Sequence, residues 1–276
     1  MAMNPRLLRP TASGRFLLDR FGDAAVAYSL RRLSSRYTGP VVQVRRSSDN
    51  AEDTFTAEQV ASGAMTAWVG SGNNGFVRTW FDQSGRGKHV GQDTSGSQPQ
   101  IVNSGVLDEM GGQPAVNIIS NTNLVHSGLA FSDGPISIFA VVSFTTAGAL
   151  LDAATDGFFS NSEGFRFDNF SNNYRLGTRK AFTSAAAPTP IARVIRSGFA
   201  NATARTIFAN GAQVGTTAGN TSPEFAGVTN HVIGRFSSLG SGQMVGLIQD
   251  LIVYNTDRQP QNLAIVEEIN RHYGVY

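Results

Sequence analysis

RTIFANGAQVGTT, residues 205–217, sets two short runs of strand-forming residues on either side of Asn210-Gly211. Both central residues tolerate positive φ, so the pair closes a tight hairpin whose twist suits antiparallel strands. Runs of the same length recur along the chain: AVNII (115–119), ISIFAVVSF (136–144), GFRFDN (164–169), IARVIRSGF (191–199), HVIGRF (231–236) and GLIQDLIVYN (246–255). Many short strands divided by turn residues predict an all-β domain of two antiparallel sheets packed face to face.

Composition agrees. The 276 residues are 41% hydrophobic and only 15% charged, with 30 glycines, which describes a well-filled core beneath a polar, loop-rich surface. The longest apolar stretch, 136–144, has strand length and falls short of the ~18–20 residues of a membrane span. With no cysteine in the chain, disulfides, thiolate metal sites and thiol nucleophiles are excluded. Four histidines (89, 126, 231, 272) form no metal-binding spacing, and neither metal nor cofactor is expected.

Net charge is +2, but residues 1–46 carry nine arginines against Asp19 and Asp23. Residues 1–15 read as an extended basic leader, restrained by Pro5 and Pro10, with Arg6, Arg9 and Arg15 as candidate assembly contacts. The domain proper is read as 16–276. No interleaving of basic and aromatic residues points to nucleic acid.

Three helices are expected. Asp23 serves as N-cap for AAVAYSLRRL (24–33), with Val26, Leu30 and Leu33 on one stripe. AEQVASGAMTAWVG (57–70) forms a second. The third starts at Pro260, turns Leu263, Val266 and Ile269 inward and stops at Gly274. VVQVR (41–45) and FVRTWF (76–81) are strands.

WFDQSGRGKHV (80–90) could be a site or a brace. It lacks the phosphate-loop pattern GxxxxGK[ST], and Asp82, Gln83 and Asp93 are too few oxygens for a calcium loop. A carboxylate that opens a turn accepts the backbone N–H groups of that turn. Asp82 and Gln83, hinged by Gly85 and Gly87, are therefore read as a loop brace. Trp80 is the aromatic candidate for stacking on a sugar; the competing reading packs it in the core beside Phe81.

AYSLRRLSSRYTGPVVQVRRSSDN (27–50) and WFDQSGRGKHVGQ (80–92) resemble the catalytic-domain family of α-L-arabinofuranosidase B. That resemblance implies a concanavalin A-like jelly-roll β-sandwich. Later stretches, TIFANGAQVG, GLIQDLIVYN and HYGVY, resemble laminin-G and concanavalin-like sandwiches generally. Domains of this kind also resemble parts of bacteriophage virion proteins that follow a leader like NPRLLRP (4–10).

The family's enzymes are retaining glycosidases, which need two carboxylates about 5 Å apart. In the window matching the nucleophile region, FDNFSNN (167–173), Asp168 resembles a substrate-contacting acid, while Phe170 and Ser171 stand where a Glu is wanted. The window matching the acid, IGRFSSLGSG (233–242), has no carboxylate; the nearest acids are Glu163, Asp168 and Glu224. The resulting expectation is a non-enzymatic structural protein of a phage virion, at head or tail. It would be made in the host cytoplasm and assemble with other virion subunits and with copies of itself. No membrane is involved, and host glycan is touched weakly through Asp168 and Trp80. The alternative expectation is a glycoside hydrolase of the α-L-arabinofuranosidase type, or a carbohydrate-binding adhesin.

Overall fold

The computed structural model describes residues 16–128, 130–146, 148–154, 164–170, 173–178, 181–187, 193–219, 222–235 and 243–276. The leader, with Arg6, Arg9 and Arg15, lies outside the described residues, as does Glu163.

The protein is all-β in character: among the described residues nineteen strands join in one antiparallel hydrogen-bonded network, accompanied by a few helices. At its centre Ile136–Thr146 runs between Val194–Ala200 and Val245–Tyr254. Strict alternation along this strand feeds two cores. Ile136, Ile138, Ala140 and Val142 enter the larger one, and Phe139 and Val141 enter a smaller one. The smaller core is closed by the C-terminal helix Asn262–Tyr273 through Ile265, Val266, Ile269 and Tyr273.

Across the larger core lies a meander of Gly148–Ala154, Gly164–Phe170, Asn173–Thr178 and Ala181–Ala186. Phe165, Phe167, Tyr174 and Leu176 point into that core. Gly198 sets how closely the layers approach, since a Cβ there would lie 2.9 Å from the Phe167 ring and 3.2 Å from Ile138. The predicted hairpin at Asn210-Gly211 joins Ala204–Ala209 to Ala212–Ala218, with φ of 48° and 80° at the turn.

The expected helix over 24–33 is instead a strand, Val26–Ser29, paired with Val253 to Asp250. Val26 and Tyr28 face the larger core and Ala27 the smaller. A strand buried on both faces is apolar throughout, so its pattern does not separate it from a helix. Asp23 caps nothing; it adopts φ 64° at the turn before the strand. The first helix is a single turn earlier, Leu17–Arg20.

The 57–70 segment is helical but broken. Ala57–Ala61 starts from a Thr56/Gln59 capping box, and Gly63, at φ 80°, starts Ala64–Val69 in a new direction. The C-terminal helix ends at Gly274 in the left-handed region as expected, but Leu263 is 59% exposed. Asn262 takes the inward position because Ser197 Oγ donates to its Oδ1 at 2.6 Å. A buried hydrogen bond thus sets the face that apolar counting had given to Leu263.

Candidate active site

Two of the buried aspartates, Asp82 and Asp168, are held in opposite ways. Asp82 follows the strand Gly75–Trp80. Its Oδ1 accepts from the Ala27 and Ser84 backbone N–H groups, both at 2.9 Å. Its Oδ2 accepts from Ser84 Oγ at 2.7 Å and the Lys88 N–H at 3.1 Å. Gln83 continues the tie. Its Oε1 accepts from the Leu33 N–H, and its Nε2 donates to the Ser29 and Arg31 carbonyls, all at 2.9 Å.

Gly85 and Gly87, at φ 85° and 67°, let the loop wrap the carboxylate. The acceptor sites of Asp82 are thus used within the fold, and its chemistry is that of a brace. Trp80 is fully buried, its ring 5.8 Å from that of Tyr28, so it presents no face to a sugar. Packing decides between its two readings.

A histidine group sits beside this loop. His231 and His126 are cross-strand partners, and Tyr28 Oη lies 3.1 Å from His231 Nε2. Burial, with His126 and Lys88 nearby, pushes the His231 pKa down to about 3. The imidazole is therefore neutral across the physiological range. Among the described residues no group of three or more His, Cys, Asp or Glu is placed to hold a metal ion.

Asp168 belongs to the sheet. In Gly164–Phe170, Phe165 and Phe167 face the core, so Arg166 and Asp168 share the opposite face. Directly across from Asp168 stands Arg175, whose Nε and Nη2 donate to Oδ1 and Oδ2, each at 2.7 Å. This fork geometry fixes the carboxylate plane. Directly across from Arg166 stands Asp152, with Arg166 Nε donating to its Oδ1 at 3.0 Å. Arg175 also covers the Phe182 ring at 4.9 Å.

The result is a checkerboard of two carboxylates and two guanidiniums on one face of three neighbouring strands. Burial pushes the Asp168 pKa up, against the pull of Arg175, Arg166 and Arg196, and the net direction is upward. Asp152 and Asp168 are diagonal neighbours on adjacent strands. Such positions lie about 7–8 Å apart.

The sequence reading had Asp168 but not Asp152. Its signal was faint: an acid within ALLDAA that pairs with an arginine fourteen residues on. The windows assigned to the catalytic acids are only partly described. Phe170 is known by its backbone, residues 171–172 and 236–242 lie outside the described residues, and Glu224 is exposed.

The catalytic-domain model of α-L-arabinofuranosidase B matches residues 22–135. A probable α-L-arabinofuranosidase B of Aspergillus terreus is 30% identical over 132 residues, 42% of this chain and 26% of that protein. An arabinofuranosidase/β-xylosidase of Trichoderma koningii is 29% identical over 131 residues, with the same coverage. The chain therefore matches about a quarter of the length of these curated relatives.

Among solved structures, a GH54 α-L-arabinofuranosidase mutant soaked with 4-nitrophenyl α-L-arabinofuranoside aligns with a TM-score of 0.64 at 16% identity. The alignment covers 92% of this chain and 64% of that one. An arabinofuranosidase complexed with arabinofuranosyl-α-1,2-xylobiose aligns with a TM-score of 0.65 over the same shares. At this identity the likeness is one of fold, and it extends well beyond the 22–135 match.

These matches overturn the expectation of a non-enzymatic, virion-borne structural protein. They are to glycosidases, and the curated relatives are fungal proteins rather than virion parts, so the virion localisation falls with it. The search for paired carboxylates covered two windows along the chain, whereas strand pairing brings acids from separate segments onto one face, as it does Asp152 and Asp168.

Proposed function

We propose that this protein is a glycoside hydrolase of the α-L-arabinofuranosidase type, built on a concanavalin A-like jelly-roll sandwich. One observation carries the reading: the 22–135 match to the arabinofuranosidase catalytic family continues as a shared fold over 92% of the chain. The Asp152–Asp168 face is the chemistry that supports it.

Glycoside hydrolysis places two carboxyl groups on either side of the scissile bond, one of them with a raised pKa. Asp168 has the upward direction, and Asp152 lies diagonal to it on the next strand. The Asp168 carboxylate keeps lone pairs beyond the two that Arg175 uses, and these can accept sugar hydroxyls. Arg175 and Arg166 hold the two groups in register before substrate arrives.

The test is release of nitrophenol from 4-nitrophenyl α-L-arabinofuranoside by the purified protein. Turnover is expected, and Asp152→Asn should lower it by roughly 10²-fold or more, the usual weight of a proton-transferring carboxyl. A wild-type protein that binds arabinosides but releases no nitrophenol contradicts the proposal.

A further inference from the structure

Directly beneath the Asp168 strand, inside the larger core, lies a second polar cluster that the proposed hydrolysis does not use. Arg196 is fully buried, and its guanidinium carbon lies 4.0 Å from the Tyr174 ring centre and 4.2 Å from that of Phe167. Its Nη2 donates to the Asp168 main-chain carbonyl at 3.0 Å. Its Nε and Nη1 find no partner. Asn169, 1% exposed, has neither Nδ2 nor Oδ1 hydrogen-bonded, and the buried hydroxyl of its cross-strand partner Tyr174 is also unpaired.

Four donors are thus unpaired, two of them on a guanidinium that no carboxylate among the described residues pairs with. Asp168, whose charge acts on Arg196, points to the other face of the sheet and gives both oxygens to Arg175. Burial draws the Arg196 pKa down to about 10, which leaves it charged at neutral pH. Cation–π contact offsets part of the cost of a buried charge, but it gives nothing to N–H groups lying in the guanidinium plane. Each buried donor left unpaired costs about 1–3 kcal/mol. The excess of donors over acceptors and the excess positive charge call for the same kind of guest.

We infer that Arg196, Asn169 and Tyr174 form a buried binding site for a small monovalent anion of the halide class, held between the two layers by Arg196 Nε, Asn169 Nδ2 and Tyr174 Oη. The inference stands apart from the proposed hydrolysis and requires no catalytic activity.

Crystals grown in bromide supply the direct test, with an anomalous peak expected within hydrogen-bonding distance of Arg196 Nε. In solution, the unfolding midpoint is followed in sodium chloride against sodium gluconate at constant ionic strength. Binding raises the midpoint along a saturating curve, by roughly 5–10 °C at a hundredfold excess over the dissociation constant. Tyr174→Phe and Asn169→Leu should each weaken the chloride dependence, and Arg196→Met should abolish it; the first two keep the test decisive if the third does not fold. Equal midpoints in the two salts, or no bromide peak with water at Arg196 instead, overturn the inference.

Discussion

Asp82 and Asp168 are both sealed from solvent, yet their oxygens are satisfied by different means. Asp82 is satisfied by three backbone N–H groups and a hydroxyl, most of them within six residues of it. Asp168 is satisfied by one guanidinium across a strand pair, with further arginines above and below. Neutral donors fixed in a loop leave a carboxylate with nothing further to do. A carboxylate held by a guanidinium across a strand pair keeps acceptor capacity and a perturbed pKa, the properties a reacting group needs.

The largest effect expected from this contrast is on stability. Arg175→Met leaves the Asp168 charge buried without its fork partner and should cost about 3–5 kcal/mol. Replacing both residues by apolar ones of similar size should recover most of that loss. Urea unfolding of the single and double variants measures both. If the double variant is as unstable as the single one, the ion pair is not what the strands depend on.

Asp82→Ala comes next, at about 2–4 kcal/mol, because it leaves the Ala27 and Lys88 N–H groups without an acceptor. Asp82→Asn, which keeps an acceptor oxygen, should lose less. Hydrogen exchange at Ala27 reports the release of the brace and should quicken before exchange in the central strands does.

Confined to acid is the effect of the histidine beside the brace. The unfolded chain takes up a proton near the ordinary imidazole value of 6.5 that folded His231 refuses until about pH 3. Its contribution is fully present above pH 6.5 and is lost as pH falls through that window. Denaturation midpoints measured from pH 7 to 4 should therefore decline, and His231→Phe should flatten the decline. An unchanged slope in the variant would assign the acid sensitivity to other groups.

The two aspartates also differ in how much of them the sequence displayed. Asp82 was readable as a brace because its partners are local: the turn, Gly85 and Gly87 stand within five residues of it. The strands were readable wherever one face is polar, and the Asn210-Gly211 hairpin announced its own dihedral angles.

What stayed hidden was set by distant contacts. Val26–Ser29 looked helical because burial on both faces erases alternation. Leu263 looked inward because the hydrogen bond between Asn262 and Ser197 spans 65 residues. Asp152 was passed over because its relation to Asp168 exists only after two strands pair with a bulge between them.

The measurement that bears most directly on the account is the rate of arabinoside hydrolysis per folded molecule in Asp168→Asn, set beside Asp82→Asn. The first should lose roughly 10²-fold or more while still unfolding cooperatively, and the second should keep a rate near that of the parent while unfolding at lower urea. A full rate in Asp168→Asn, or a rate lost only in Asp82→Asn, would contradict the assignment of one aspartate to chemistry and the other to architecture.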